Sequence, residues 1–391
     1  MVTPIPTPND VLQVLRGVVD PELGSDIVEL GMVRSADVDG TGGVVVTIAL
    51  TTAGCPLRAQ IQRDIKTRVG SLPGVTTVDL RWDEMTADEK TSAMAKARFN
   101  VAQRPEDTSV PLTAKVILVA SGKGGVGKSS VTVNLAAALA GKGLNVGVLD
   151  ADIWGFSVPR LLGLEGRLGS IARDGKTYIR PHERQIGQGN LRVVSMGFLV
   201  DDEETALMWR GLMLNRGVQH FLQDVAWGDD LDYLLIDMPP GTGDVQMGVA
   251  KLLPRAEVLV VTTPARAAQK VAVRVVGMAR KSFLRVAGVI ENMSVFRCDH
   301  GQEYALFGEG GGEQLAHDAG VPLLGSVPLE ASVSAGGDEG QPVVLGTGPA
   351  ADAFRAIADR IFDEAVPPSE MAGCSARMMD AMVAALDNAD V

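Results

Sequence analysis

Between Ser121 and Ser130 the chain reads SGKGGVGKSS. Gly122, Gly127, Lys128 and Ser129 meet the spacing G-x-x-x-x-G-K-[ST], which is a phosphate-binding pattern. Gly122, Gly124, Gly125 and Gly127 let the backbone N–H groups around Val126 close on phosphate oxygens. A helix opening through Ser129 and Ser130 would add its positive end. Lys128 would reach the β- and γ-phosphates, and the Ser129 hydroxyl would bind Mg²⁺. The expected ligands are therefore ATP and Mg²⁺. The motif needs one lysine, and Lys123 is a second. It lies on the first turn of the loop, too early to follow the helix onto its own phosphate. The loop alone leaves it as a solvated side chain or a cation for another site.

Carboxylates follow at matching places. NVGVLDADIWG ends an apolar run with Asp150 and Asp152, and LDYLLIDMPPGTGD ends another with Asp237. Carboxylates at the C-terminal end of parallel strands face the ligand edge of the sheet. Asp237 has the Walker B position, which holds a hydrated metal. Asp244, in the PPGTGD turn, reads either as a second switch or as a turn cap. VIENM closes a late strand with Asn292, which by itself reads as an exposed turn residue.

Three cysteines, Cys55, Cys298 and Cys374, are too few and too scattered for a disulfide framework. A special one among them would be a thiolate ligand in a reducing compartment. Cys55, in TTAGCPLRAQ, stands at a helix start, where the dipole lowers a thiol pKa. Asp20 and Glu22 are candidates to lie near it. Cys298 has His300 close by, and an ordinary loop cysteine beside a solvated histidine is the plain alternative. Cys374 is assigned nothing.

The elements that must position these residues are legible. KVILVA, NVGVLD, LRVVSM, DYLLID, EVLVVTT and RVAGVIEN read as buried strands, and helical patterns separate them. That alternation predicts an α/β fold with a mostly parallel sheet and right-handed crossovers. The last helix is expected over about Ala351 to Glu364. A smaller α+β unit precedes: PNDVLQVLRGVV as a helix with Asn9 or Asp10 near its start, GGVVVTIAL as a strand, CPLRAQIQRDIKTRVGSL as a helix, VTTVDLRW as a strand. The expected division is 1–87 for this unit, 88–114 for a polar, proline-bearing linker, 115–366 for the phosphate-loop domain and 367–391 for a Met- and Ala-rich tail.

Bulk properties bound the partners. The 391 residues carry a net charge of −12 with 46% hydrophobic residues, and the pI is about 4.9. An acidic surface repels nucleic acid and anionic lipid, so neither is expected as a partner. The opening MVTPIPTPNDVL shows no basic-then-apolar leader, and no apolar run approaches a membrane span. The expected location is the cytoplasm.

GKGGVGKS resembles the deviant Walker A loop of the Mrp/ApbC, MinD/ParA and nitrogenase-iron-protein group. That resemblance implies a nucleotide-sandwich homodimer in which Lys123 reaches the partner's nucleotide. It also gives Asp152 the water-orienting role, Asp150 a place near Mg²⁺ and Asn292 the adenine. LDADIWGFSVPRLLG, the stretch from VSMGFLVDDEETALMWRG to LLIDMPPGTGDVQ, and VIENMSVFRCDHGQEYALFGEGGGEQLA look like the Mrp/ApbC iron–sulfur carrier ATPases. Asp20-Pro21-Glu22, DIVELGMV and TTAGCP resemble the PaaD/SufT-type domain of iron–sulfur assembly. The resemblance spans about nine-tenths of the chain. It implies slow ATP hydrolysis coupled to transfer of a [4Fe–4S] cluster, with apo iron–sulfur proteins and assembly factors as partners.

The family's cluster motif is C-x-x-C directly after ENMS, and here the chain departs from it. Cys298 fills the first position, and the second cysteine is missing. Two copies would supply two thiolates, or four ligands if His300 joins from each side. A MinD/ParA-like positioning ATPase without a cluster is the alternative. It would need a basic amphipathic C-terminal helix or a basic surface, whereas residues 378–391 contain no lysine or arginine. A nitrogenase-type electron donor would need a second cysteine in the ATPase domain.

Overall fold

The computed structural model describes residues 4–20, 23, 25–51, 57–86, 88–90, 92–93, 96, 108–152, 155–173, 175–199, 211–298 and 300–368. They fall into two compact units, one up to position 105 and one from 106 to 368. Cys55, Glu22, Cys374 and the tail helix considered above lie outside the described residues.

The first unit holds α1 (Pro8–Leu15), β1 (Val19–Asp20), β2 (Ser25–Asp26), β3 (Val33–Val38), β4 (Gly43–Leu50), α2 (Arg58–Gly70) and β5 (Thr77–Glu84). Thr7 caps α1 in a capping box with Asp10, so the cap lies two residues before Asn9. β3 pairs antiparallel with β4, and β4 pairs parallel with β5 across the α2 crossover. Val11, Leu15, Val46, Ile48, Ile61 and Ile65 bury one face of this sheet under the two helices. Asp20 is buried, and its Oδ1 accepts from the Leu23 N–H at 3.1 Å.

The second unit runs β6 (Lys115–Ala120), α3 (Lys128–Gly141), β7 (Asn145–Asp150), α4 (Val158–Leu161), β8 (Gly169–Arg173), β9 (Lys176–Arg180), β10 (His182–Ile186), β11 (Gly189–Ser195), α5 (Gly211–Asp224), β12 (Tyr233–Asp237), α6 (Asp244–Leu252), β13 (Glu257–Thr262), α7 (Arg266–Lys281), β14 (Arg285–Arg297), β15 (Glu303–Tyr304), α8 (Gly311–Ala319), β16 (Leu323–Leu329), α9 (Ala331–Asp338) and α10 (Pro349–Arg360). Nine strands form one sheet in the order β10-β11-β7-β12-β6-β13-β14-β15, with β16 also on β14. From β11 to β14 every pairing is parallel, and so is β14 with β16. The end strands β10 and β15 are antiparallel. α10 stops at Arg360 and a π-turn carries the chain over Ile361–Ala365.

Strand alternation sends side chains into two cores. Val116, Leu118 and Ala120 of β6 point toward the helices α5, α6, α7 and α8, where Phe221, Val249, Val275 and Leu315 meet them. Ile117 and Val119 point the other way, toward Val131, Leu135, Phe354 and Ile357 of α3 and α10. Burial on both faces explains why these strands are continuous apolar runs. The segment before β6 joins the first core. Val110 and Ala114 are buried there, and Ser109 hydrogen-bonds to the Leu222 carbonyl. Among the described residues no helix is long and apolar enough to cross a membrane.

Candidate functional site

Parallel pairing brings the C-terminal ends of β6, β7, β12, β13 and β14 to one edge. The phosphate loop leaves β6 there and enters α3. Two glycines show why the sequence is so restricted. Gly127 has φ +78°, and a Cβ on it would lie 2.2 Å from Asn292 Nδ2. A Cβ on Gly122 would lie 2.4 Å from the Val271 carbonyl carbon of α7. The loop is thus wedged between β14 and the backbone of α7. Ser121 braces it further, with its Oγ on the Lys123 carbonyl at 3.0 Å and its own carbonyl on the Gly241 N–H at 2.9 Å. Gly124, Gly125 and the Lys123 side chain are exposed.

Lys128 is almost fully buried. Its Nζ lies 2.6 Å from Asp237 Oδ1 and 4.0 Å from Asp152 Oδ2. Ser129 Oγ donates to Asp237 Oδ2 at 2.5 Å. Thr132 Oγ1 lies 3.1 Å from Asp237 Oδ1 and 3.0 Å from the Lys128 carbonyl. Both oxygens of Asp237 are therefore held by the first turn of α3. Thr132 was not singled out from the sequence, although it sits one helical turn after Lys128 on the same face.

Asp150 and Asp237 are register partners on β7 and β12, and Ser195 on β11 is the next partner along the row. Asp150 is fully buried. It accepts from Ser195 Oγ (3.1 Å) and from the backbone N–H groups of Asp152 (3.1 Å), Ser157 (3.2 Å) and Val158 (3.3 Å). Burial, and then the neighbouring Asp237 charge, push its carboxyl up to about 7 against the pull of Lys128. Ser195 had a legible sequence signal: a hydroxyl ending an apolar strand, LRVVS, where Asp150 and Asp237 end theirs.

Asn292 is a buried residue within β14, not an exposed turn residue. Its Nδ2 donates to the Val126 carbonyl at 2.9 Å. Its Oδ1 has no protein donor among the described residues. Next to it, buried Glu291 accepts the Gly312 N–H of α8 at 2.6 Å. Asp244 opens α6 directly after the PPGTG turn.

β14 continues five residues past Asn292 and ends in a short hairpin with β15. Cys298 stands at its turn as a half-buried free thiol. Its backbone N–H donates to the Gln302 carbonyl at 3.0 Å, and its carbonyl accepts from Gly301 at 2.8 Å. Gly301, where the family motif has its second cysteine, has φ +78°. His300 is exposed. Among the described residues no group of three or more His, Cys, Asp or Glu is placed to hold a metal ion. One chain alone therefore presents an incomplete ligand set at Cys298.

The hard oxygen donors at the loop do fit Mg²⁺. The Ser129 hydroxyl and Asp237 carboxylate already converge, and Asp150 adjoins them.

Comparison with known proteins gives the family. Residues 113–362 match the family described as NUBPL iron-transfer P-loop NTPase, and residues 8–80 match one described as iron–sulfur cluster assembly protein. The chain is 43% identical to an iron–sulfur cluster carrier protein of Mycobacterium leprae, over 85% of this chain and 86% of that one. It is 41% identical to an iron–sulfur cluster carrier protein of Synechocystis, over 91% and 97%. A nucleotide-binding protein of Archaeoglobus fulgidus, solved in complex with ADP, superposes with TM-score 0.52 at 32% identity. That match covers 66% of this chain and 94% of that one.

Proposed function

The chain belongs to the NUBPL iron-transfer P-loop NTPases, and on that premise we propose that it is a slow, Mg²⁺-dependent ATPase that carries an iron–sulfur cluster and passes it to apo-proteins. The observation that carries the reading is the course of β14, which touches the phosphate loop through Asn292, bends at Met293 (φ +57°) and ends at Arg297, next to Cys298. One strand thereby joins the nucleotide site to the thiol.

Lys128 neutralises Asp237. Triphosphate offers Lys128 a more highly charged partner, so its ammonium group leaves Asp237 for the β- and γ-oxygens. Asp237 and Ser129 would hold Mg²⁺, which would supply charge neutralisation to the triphosphate. Asp150 supports this edge from the second row. Asp152, 4.0 Å from Lys128 Nζ, orients the attacking water. The water oxygen bonds to the γ-phosphorus as the bond to the ADP oxygen breaks, and the proton it loses passes to an oxygen of the departing phosphate. Loop N–H groups from Gly122 to Ser130 cradle the phosphates, and the free Oδ1 of Asn292 accepts from the adenine amino group. Exposed Lys123 serves the site of a second copy, so hydrolysis is tied to a homodimer. That dimer also completes the cluster site: two Cys298 thiolates, with His300 from each copy, give the mixed donor set that one chain lacks.

The test is anaerobic reconstitution of the full chain with iron and sulfide, followed by visible absorbance and iron and sulfide counting. The wild type gains a cluster and Cys298→Ala does not. A colourless wild type that still hydrolyses ATP would remove the carrier role and leave the ATPase.

A further inference from the structure

Helix α7 has a surface that neither nucleotide chemistry nor cluster carriage explains. From Glu257 to Glu291 no acidic residue intervenes, while Arg266, Lys270, Arg274, Arg280, Lys281 and Arg285 do, in a chain of net charge −12. Arg285 pairs with Glu257, and Arg280 is half-buried on the Ala319 carbonyl. The other four are exposed on one side of α7, at intervals that repeat each helical turn. The opposite side, Ala268, Ala272, Val275, Val276 and Ala279, is buried in the core. Among the described residues no carboxylate pairs with Arg266, Lys270, Arg274 or Lys281.

This stripe works against the helix that bears it. Arg266–Lys270 and Lys270–Arg274 are like-charge i,i+4 pairs, which disfavour the helix. Arg266 puts a cation in the first turn, against the helix dipole, and the N-cap Ala265 makes no side-chain cap bond. Lys281 lies favourably in the last turn, but the like-charge pairs and the first-turn cation have no such compensation and point to a function elsewhere.

We propose that the exposed face of α7 docks an acidic segment of a partner protein. The stripe from Arg266 to Lys281 spans about 22 Å at 1.5 Å per residue, so it fits an anionic helix of about four turns. A long duplex or a vesicle surface would extend past the helix over a chain that is otherwise strongly acidic. At physiological salt the screening length is about 8 Å, so each part of such a partner meets only the charges beneath it, and the stripe matches a partner no longer than α7. The docked segment would also sit on the element that seats the phosphate loop, because Gly122 abuts the backbone of Val271 and Ala272. Partner binding is then sensitive to the state of that loop.

The proposal stands whether or not a cluster is carried, and its test uses neither cluster nor acceptor. A fluorescent 16-residue peptide with glutamates at every fourth position is titrated with the full chain, with and without ATP. Its glutamine counterpart, a short DNA duplex and phosphatidylserine vesicles serve as competing probes. The wild type is expected to bind the glutamate peptide, and affinity falls by about tenfold or more in Lys270→Gln/Arg274→Gln. Lys270→Glu/Arg274→Glu is expected to prefer a lysine peptide instead, while both variants hydrolyse ATP at the wild-type rate and melt at the wild-type temperature. Equal binding of the glutamine peptide, or variants that bind the glutamate peptide unchanged, would overturn the proposal. DNA or vesicles binding more tightly than the peptide, with the same dependence on Lys270 and Arg274, would overturn it in favour of a nucleic acid or membrane surface.

Discussion

Lys128 Nζ and Asp237 Oδ1 are 2.6 Å apart at the buried ligand edge of the sheet, so the cation of the phosphate loop pairs directly with the Walker B carboxylate. That contact makes the pair a structural tie between α3 and β12. Asp237→Asn leaves a buried ammonium with only the more distant Asp152 carboxylate, 4.0 Å away, as countercharge. The expected cost is about 3 kcal/mol in the nucleotide-free protein, read as a fall in melting temperature. ATP hydrolysis should fall at least about 100-fold, since the variant also loses a metal ligand. A variant that melts like the wild type would show that the pair is not a tie.

The wedge between Gly127 and Asn292 predicts a second outcome. Gly127→Ala forces a side chain into φ +78° and into the Asn292 amide. The backbone term alone is about 1–2 kcal/mol, and the Asn292–Val126 hydrogen bond is broken as well. Nucleotide affinity by calorimetry should drop at least about tenfold. Asn292→Ala should share the affinity loss without the backbone penalty, so it should melt closer to the wild type.

Asp150 gives a pH dependence. Its carboxyl titrates near 7 when folded and near 4 when unfolded. The folded protein therefore holds a proton that the unfolded chain has released across that interval. The stability contributed by this group is full below about pH 4, falls as pH rises toward 7, and levels off above. Denaturant melts of the nucleotide-free protein between pH 5 and 8 should show this decline, and Asp150→Asn should flatten it.

At Cys298 the hairpin turn predicts a gain. Gly301 occupies the place of the family's second cysteine, in a left-handed conformation that costs a side chain about 1–2 kcal/mol. Gly301→Cys should still give a longer-lived reconstituted cluster, because two more thiolates per dimer outweigh that strain. Cluster loss to a chelator, followed by absorbance, is the measurement. Faster loss than in the wild type would mean that the turn cannot present a ligand at this position.

The phosphate loop and the parallel strands were legible because their constraints are local. A glycine loop between an apolar run and a helix, and apolar runs buried on both faces, announce themselves in composition. β8 and β9 did not, since they are exposed and rich in charge, as in GSIAR and KTYIR. β16 was obscured by glycine and proline in LLGSVPL. Thr132 and Ser195 were missed for another reason. Their roles come from register across strands and helix turns, and a reading along the chain does not pair β7 with β11. The basic face of α7 was present in the letters, yet the overall negative charge concealed it until the helix sorted exposed residues from buried ones.

The central claim is that Lys123 acts on the nucleotide of a second copy. Full-length Lys123→Ala and Lys128→Ala proteins, each inactive alone, are mixed and allowed to exchange subunits. In a mixed dimer one site has its own Lys128 and the other copy's Lys123. Hydrolysis should return to about a quarter of the wild-type rate, as random pairing makes half the dimers mixed with one intact site each. A mixture that forms mixed dimers yet stays inactive would contradict the account.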